Sequence, residues 1–223
     1  MRNILKINIL ISIFFFTSCK VSKHSLYSNI KEVNFSRENL EGSEKIRFSY
    51  IPSFYYSTVS EINSRNGAEY RRQAFKKGFD SIVNLKYQKI NISNIVPISE
   101  KSSLKNLIQA DLLNLIKKID SSNNIHNLKL PLTLKKTLDK SPANYSIAVL
   151  NDIDFTTLGK LHPDIISFQK DYVRTKHMTL YLFIINNQNK NIVYFYKSRE
   201  IKGHLSKENQ YELFEEEVLN FLN

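Results

Sequence analysis

The chain is poor in the residues from which rigid chemistry is usually built. A single cysteine, Cys19, in 223 residues excludes an internal disulfide and leaves no second thiol for a structural zinc site. The five glycines, Gly42, Gly67, Gly78, Gly159 and Gly203, never cluster at a strand-to-helix turn, so a backbone cradle for phosphate has no support. The five histidines, His24, His126, His162, His177 and His204, are scattered without metal-ligand spacing. Neither a metal nor any other cofactor is implied. A Gly-x-Ser-x-Gly elbow is missing, as is a Ser-x-x-Lys with its usual companions, and no catalytic residue is assigned. Acids are also short, 21 against 32 basic residues, for a net charge of +11. No apolar run approaches the roughly 20 residues needed to span a bilayer.

What the chain does carry begins at its start. Arg2 and Lys6 form a positive segment, Ile7 to Phe16 a mostly apolar one broken by Asn8 and Ser12, and Thr17 with Ser18 place small residues before Cys19. Phe16-Thr17-Ser18-Cys19 resembles the lipobox of bacterial lipoproteins, with Phe16 where the commonest pattern has leucine. The resemblance covers about the first 20 residues. It implies a signal peptide over residues 1–18, cleavage before Cys19, and acyl chains such as palmitate on the cysteine, anchoring the chain in a membrane. Lys20 is not the aspartate that holds such proteins in the inner membrane of enteric bacteria. The resemblance therefore implies delivery to the cell outer membrane, the periplasmic or surface face remaining open. An ordinary secretory signal, with Cys19 an incidental thiol, is the competing reading.

Cleavage removes 18 of the 223 residues, leaving 205, and loses Arg2 and Lys6, so +11 becomes +9. Such a balance suits anionic headgroups, acidic glycans or nucleic acid, of which nucleic acid is discounted for an exported chain. Lysine, asparagine, isoleucine and serine are abundant throughout, so the charge also reads as background composition. Its densest cluster, Arg71, Arg72, Lys76 and Lys77, falls on a helix at about 68–85, and a solvated helix face is the simpler account.

Residues 19–43 read as the acylated cysteine and a tether, rich in Ser, Lys, Asn and Glu, on which Val33, Phe35 and Leu40 are candidates for docking onto the body. As a flexible coil it would span roughly 25 to 30 Å. Residues 44–223 read as one α/β domain. The predicted order is a strand at 45–51 ended by Pro52, the basic helix, a weak strand at 89–96, an amphipathic helix carrying Leu104 to Ile119, and a short helix after Pro131. Then follow an apolar strand at 145–150, a short helix at 163–173, a hairpin of 178–185 with 192–196, and a terminal helix at 206–222 capped by Ser206. That order implies a mixed sheet with helices packed on it. From Ser141 to Leu222 it resembles, in element order alone, compact α/β domains of periplasmic lipoproteins such as the curli secretion lipoprotein and the N-terminal domain of TolB.

Two features stand as candidate sites. Phe54, Tyr55 and Tyr56 fall on a predicted loop and cannot all face one core, so they form a possible contact surface, with burial of two of the three as the alternative. Asp152 and Asp154 follow the apolar strand, where paired acids can hold a cation or act as acid and base, although acids also gather where strands enter polar loops. The functional expectation is a lipid-anchored envelope protein, a non-catalytic binding or accessory component with an envelope protein as partner. The alternative is a lipid-anchored hydrolase of a glycan or peptide using Asp152, Asp154 or Asp164. Oligomeric state is left open.

Overall fold

In the computed structural model, residues 31–33, 46–59, 65–98, 103–122, 124–125, 128–157, 173–202 and 206–222 are described. Cys19 and most of the tether lie outside them, as does the predicted helix at 163–173 except Val173. The elements in chain order are β1 (Lys31–Val33), β2 (Phe48–Val59), α1 (Arg65–Lys86), a 3₁₀ turn (Tyr87–Ile90), β3 (Ile92–Ile95), α2 (Ser103–Ser122), α3 (Leu132–Leu138), β4 (Tyr145–Thr157), β5 (Val173–Asn186), β6 (Asn191–Lys197), β7 (Ile201–Lys202) and α4 (Lys207–Leu222). The strands form one mixed sheet in the order β1-β6-β5-β4-β2-β3, with β7 pairing β5. β2 runs parallel to both β3 and β4, and the other pairings are antiparallel.

The expected α/β architecture, with its C-terminal hairpin and terminal helix, is the one found. The apolar run Tyr145 to Leu150 is central because it is covered on both faces. Tyr145, Ile147 and Val149 join α1 and α4 in one core, and Ala148 and Leu150 join α2 and α3 in the other. The connection from β2 to β3 and that from β3 to β4 run in opposite directions across the sheet. They lie on opposite faces, as a common right hand for both requires.

Ser206 caps α4 by accepting the Asn209 N–H at 3.2 Å. Gly78 allows α1 to approach α4, since a Cβ there would stand 3.2 Å from Lys207 Cδ. The β5–β6 turn follows local chemistry. Asn186 Oδ1 accepts the N–H groups of Gln188 and Asn189 at 2.8 and 3.0 Å, while the left-handed position is taken by Lys190 at φ 53° and not by an asparagine.

Three expectations are corrected. Pro52 does not end its strand: it sits in β2 where the register with β4 shifts between Ile51 and Phe54, a bulge that tolerates a residue with no N–H to donate. The 3₁₀ turn takes Tyr87–Ile90, so β3 begins only at Ile92. β4 and β5 run far beyond the apolar residues that announced them, to Thr157 and back to Val173. Within the stretch expected to be a tether, Lys31–Val33 form a strand, β1, whose backbone pairs with β6 through Lys31↔Tyr196 and Val33↔Tyr194.

Candidate functional site

The bulge at Pro52 decides where the three consecutive aromatics go. An extra residue in a strand reverses the side-chain alternation beyond it. Tyr50 faces the α1/α4 core and Ile51 the α2/α3 core. Past the bulge, Phe54 enters the α2/α3 core, Tyr55 enters the α1/α4 core, and Tyr56 packs partly buried beside Phe54. Phe54 and Tyr55 are 0% and 1% exposed. The loop placement is therefore wrong, and two of the three are buried because the sheet offers a core on each face. Only Tyr56 retains access to solvent.

The same bulge creates a polar centre that sequence spacing does not reveal. Asp80 of α1 reaches into it: Oδ1 accepts the Tyr50 hydroxyl at 2.7 Å and the Ser53 N–H at 3.0 Å, and Oδ2 takes the Lys76 ammonium at 2.8 Å. Lys76 is buried, and burial followed by the Asp80 charge pushes the Tyr50 hydroxyl well above its ordinary pKa. Beside it, Arg72 donates to the Tyr55 carbonyl at 3.0 Å, and the Tyr55 hydroxyl donates to Gln210 of α4 at 2.9 Å. Arg72 and Lys76 thus belong to internal bonds and not to a solvated helix face. Lys76 and Asp80 line an open concavity of about 760 Å³ along α1, together with Gln73, Lys77, Ser81, Asn84 and Leu85. A smaller one of about 390 Å³ runs along α4 between Glu212, Glu215 and Glu216.

Asp152 and Asp154 stand within β4 and not after it, two residues apart on one face, paired across the sheet with Thr179 and His177 of β5. This stretch extends beyond the apolar part of the α2/α3 core, and both aspartates are half-exposed. Burial, and then the neighbouring Asp154, hold the Asp152 carboxyl above its ordinary pKa, against a smaller opposing pull from Lys197. Lys197 itself is held by both oxygens of Asp120, at 2.8 and 2.9 Å, over the Tyr181 ring. His177 lies against the Glu200 carboxylate. Asp164, and with it any convergence of the 158–172 connection on these acids, lies outside the described residues. Neither concavity includes Asp152 or Asp154.

The raised carboxyl has a testable sign. The native state holds the Asp152 proton more tightly than the unfolded chain does, so its contribution is fully present below the ordinary value of 3.8 and is lost as pH rises through the raised one. Asp152→Asn is expected to raise Tm by a few degrees at neutral pH, the gain vanishing in acid below the ordinary carboxylate pKa. A gain that persists unchanged in acid would show that the charge is not its cause.

Glu217 is the last of three consecutive glutamates in α4. It is buried at 3% exposure and accepts the Tyr194 hydroxyl at 2.5 Å. Among the described residues, no group of three or more His, Cys, Asp or Glu side chains is placed to hold a metal ion.

No protein-family model matches the chain, and no curated protein matches it. Among solved structures it is similar to the PelC dodecamer subunit from Paraburkholderia phytofirmans (TM-score 0.34, 10% identity, 86% of this chain and 94% of that one). It is similar also to lipoprotein GNA1162 from Neisseria meningitidis (0.32, 9%, 80% and 98%) and to the C-terminal domain of LpoB from Salmonella enterica (0.29, 8%, 73% and 87%).

Proposed function

We propose that this chain is a lipid-anchored protein of the cell envelope whose α/β domain acts as a binding or accessory module for another envelope protein. The observation that carries the reading is Cys19, alone among 223 residues and placed directly behind a basic and then apolar segment. An acylated cysteine gives the domain a fixed address, since two or more chains make membrane attachment lasting. β1 supports the same reading. It ties the chain to the sheet edge 12 residues after Cys19, so the anchor and the folded body are separated by at most about 40 Å of backbone. The open concavities along α1 and α4, one bordered by Lys77 and Asp80 and the other by glutamates, offer a partner polar and charged contacts on one layer of the fold.

The test is metabolic labelling with palmitate combined with fractionation. The wild-type chain is expected to carry label and to sediment with the envelope. Cys19→Ser is expected to lose the label and to leave the membrane fraction. An unlabelled wild-type protein recovered in the soluble fraction would overturn the reading.

A further inference from the structure

The two helical layers differ in charge although the chain as a whole is basic. α1 and α4 together hold seven basic and seven acidic residues, so their layer is balanced. Residues 103–140, which build the other layer, hold seven lysines and three aspartates. Those three aspartates are engaged. Asp120 binds Lys197 and Asp139 binds Lys190, both residues of the β5–β6 hairpin, while Asp111 accepts the Leu134 backbone N–H. Lys117, Lys118 and Lys136 are exposed and Lys135 is half-exposed, and among the described residues none of the four meets an acid. Two leucines stand out from the same layer, Leu107 at 53% and Leu132 at 67% exposure, while Tyr70 and Leu85 of α1 are more exposed still, so it is charge that separates the two layers. A lysine field with isolated apolar side chains fits a surface that is anionic at its face and greasy just below it.

We propose that the outer face of α2 and α3 docks on the anionic headgroups of the membrane that holds the anchor. This deepens the lipid-anchor reading and rests on it. Charge selects the orientation: the glutamates along α4 repel an anionic surface, and the lysines of α2 and α3 meet it. Reach permits it as well. The outer side of a helix layer stands roughly 15 Å from its sheet, well within the roughly 40 Å of backbone between Cys19 and β1. In this orientation Leu107 and Leu132 enter the headgroup region, and the α1 and α4 concavities face away from the bilayer toward a partner.

The experiment places an environment-sensitive fluorophore on the full chain at Leu132→Cys or, on the opposite layer, at Asn220→Cys, the native Cys19 being blocked by its acyl chain. The protein is reconstituted in vesicles carrying a headgroup-depth quencher, made of phosphatidylcholine alone or with phosphatidylglycerol. Quenching at position 132 is expected to exceed that at 220 several-fold in the anionic vesicles only. It is expected to disappear in Lys117→Glu/Lys118→Glu/Lys135→Glu/Lys136→Glu, and in about 1 M salt, where the Debye length falls to about 3 Å. Equal quenching on the two layers, indifference to lipid charge, or persistence in a charge-reversed protein that retains its wild-type Tm would overturn the proposal. Flotation on neutral vesicles reads the anchor separately. A protein that fails to float there counts against acylation, and one that floats with equal quenching on both layers counts against the docked face alone.

Discussion

Phe214→Ala is expected to lower the unfolding free energy by about 3–5 kcal/mol, the usual range for removing a fully buried ring. Phe214 is 0% exposed and sits where α4, α1 and β2 meet. Its ring centroid lies 5.5 Å from Phe79, 6.2 Å from Tyr50 and 6.0 Å from Tyr211, distances at which tilted aromatic pairs add to the simple gain from burial. The rings around it are themselves fixed by hydrogen bonds or by both neighbouring helices, so little can move in to fill the void. Chemical denaturation monitored by circular dichroism measures the loss, and Phe214→Leu is expected to recover more than half of it. A loss below about 1 kcal/mol, the level of an ordinary substitution, would mean that α4 is not packed where the structure puts it.

Asp80→Ala is expected to cost about 3 kcal/mol, although Asp80 looks from sequence like one polar residue on a polar helix. Its carboxylate serves three donors, and its loss takes the counter-charge from the buried Lys76 ammonium and the acceptor from the Tyr50 hydroxyl and the Ser53 N–H together. Removing one partner of a buried pair is far more damaging than replacing both. The double change Lys76→Met/Asp80→Leu is therefore expected to recover part of the loss. If the single and double variants prove equally unstable, the ion pair is not what the centre depends on.

These two sites show how much of the fold can be read along the chain. The 3.6-residue period that places Phe214, Val218 and Phe221 inward is visible in the sequence because one helix buries one stripe. The apolar run of β4 is visible because that strand has a core on each side. Pro52 misleads, because proline is rare inside a central strand, having no N–H for the ladder, and only the register with β4 shows that an extra residue makes room for it here. Asp80 is illegible for a related reason: its partners Tyr50 and Ser53 lie 30 and 27 residues away, and nothing local marks the bulge that exposes the Ser53 N–H. Asp152 and Asp154 look like the end of a strand because acids gather there. They remain inside β4 because its other face still buries Ile153 beside Met178 of β5. Glu217 is illegible because of its neighbours, since a run of three glutamates gives no sign that the third turns inward to meet Tyr194.

With the lipid anchor proposed above, β1 would give the domain a leash of two lengths. Only three residue pairs join it to β6, and tension applied from the cysteine would act on that short ladder before any stress reached the two cores. While the ladder held, the body would stay within about 40 Å of that attachment point; with the ladder parted, the 27 residues from Cys19 to Ile46 would allow at most roughly 90 Å. A partner that takes β1's place beside β6 would therefore let the whole fold swing outward without unfolding it, turning a competition for one sheet edge into a change of distance from the lipid.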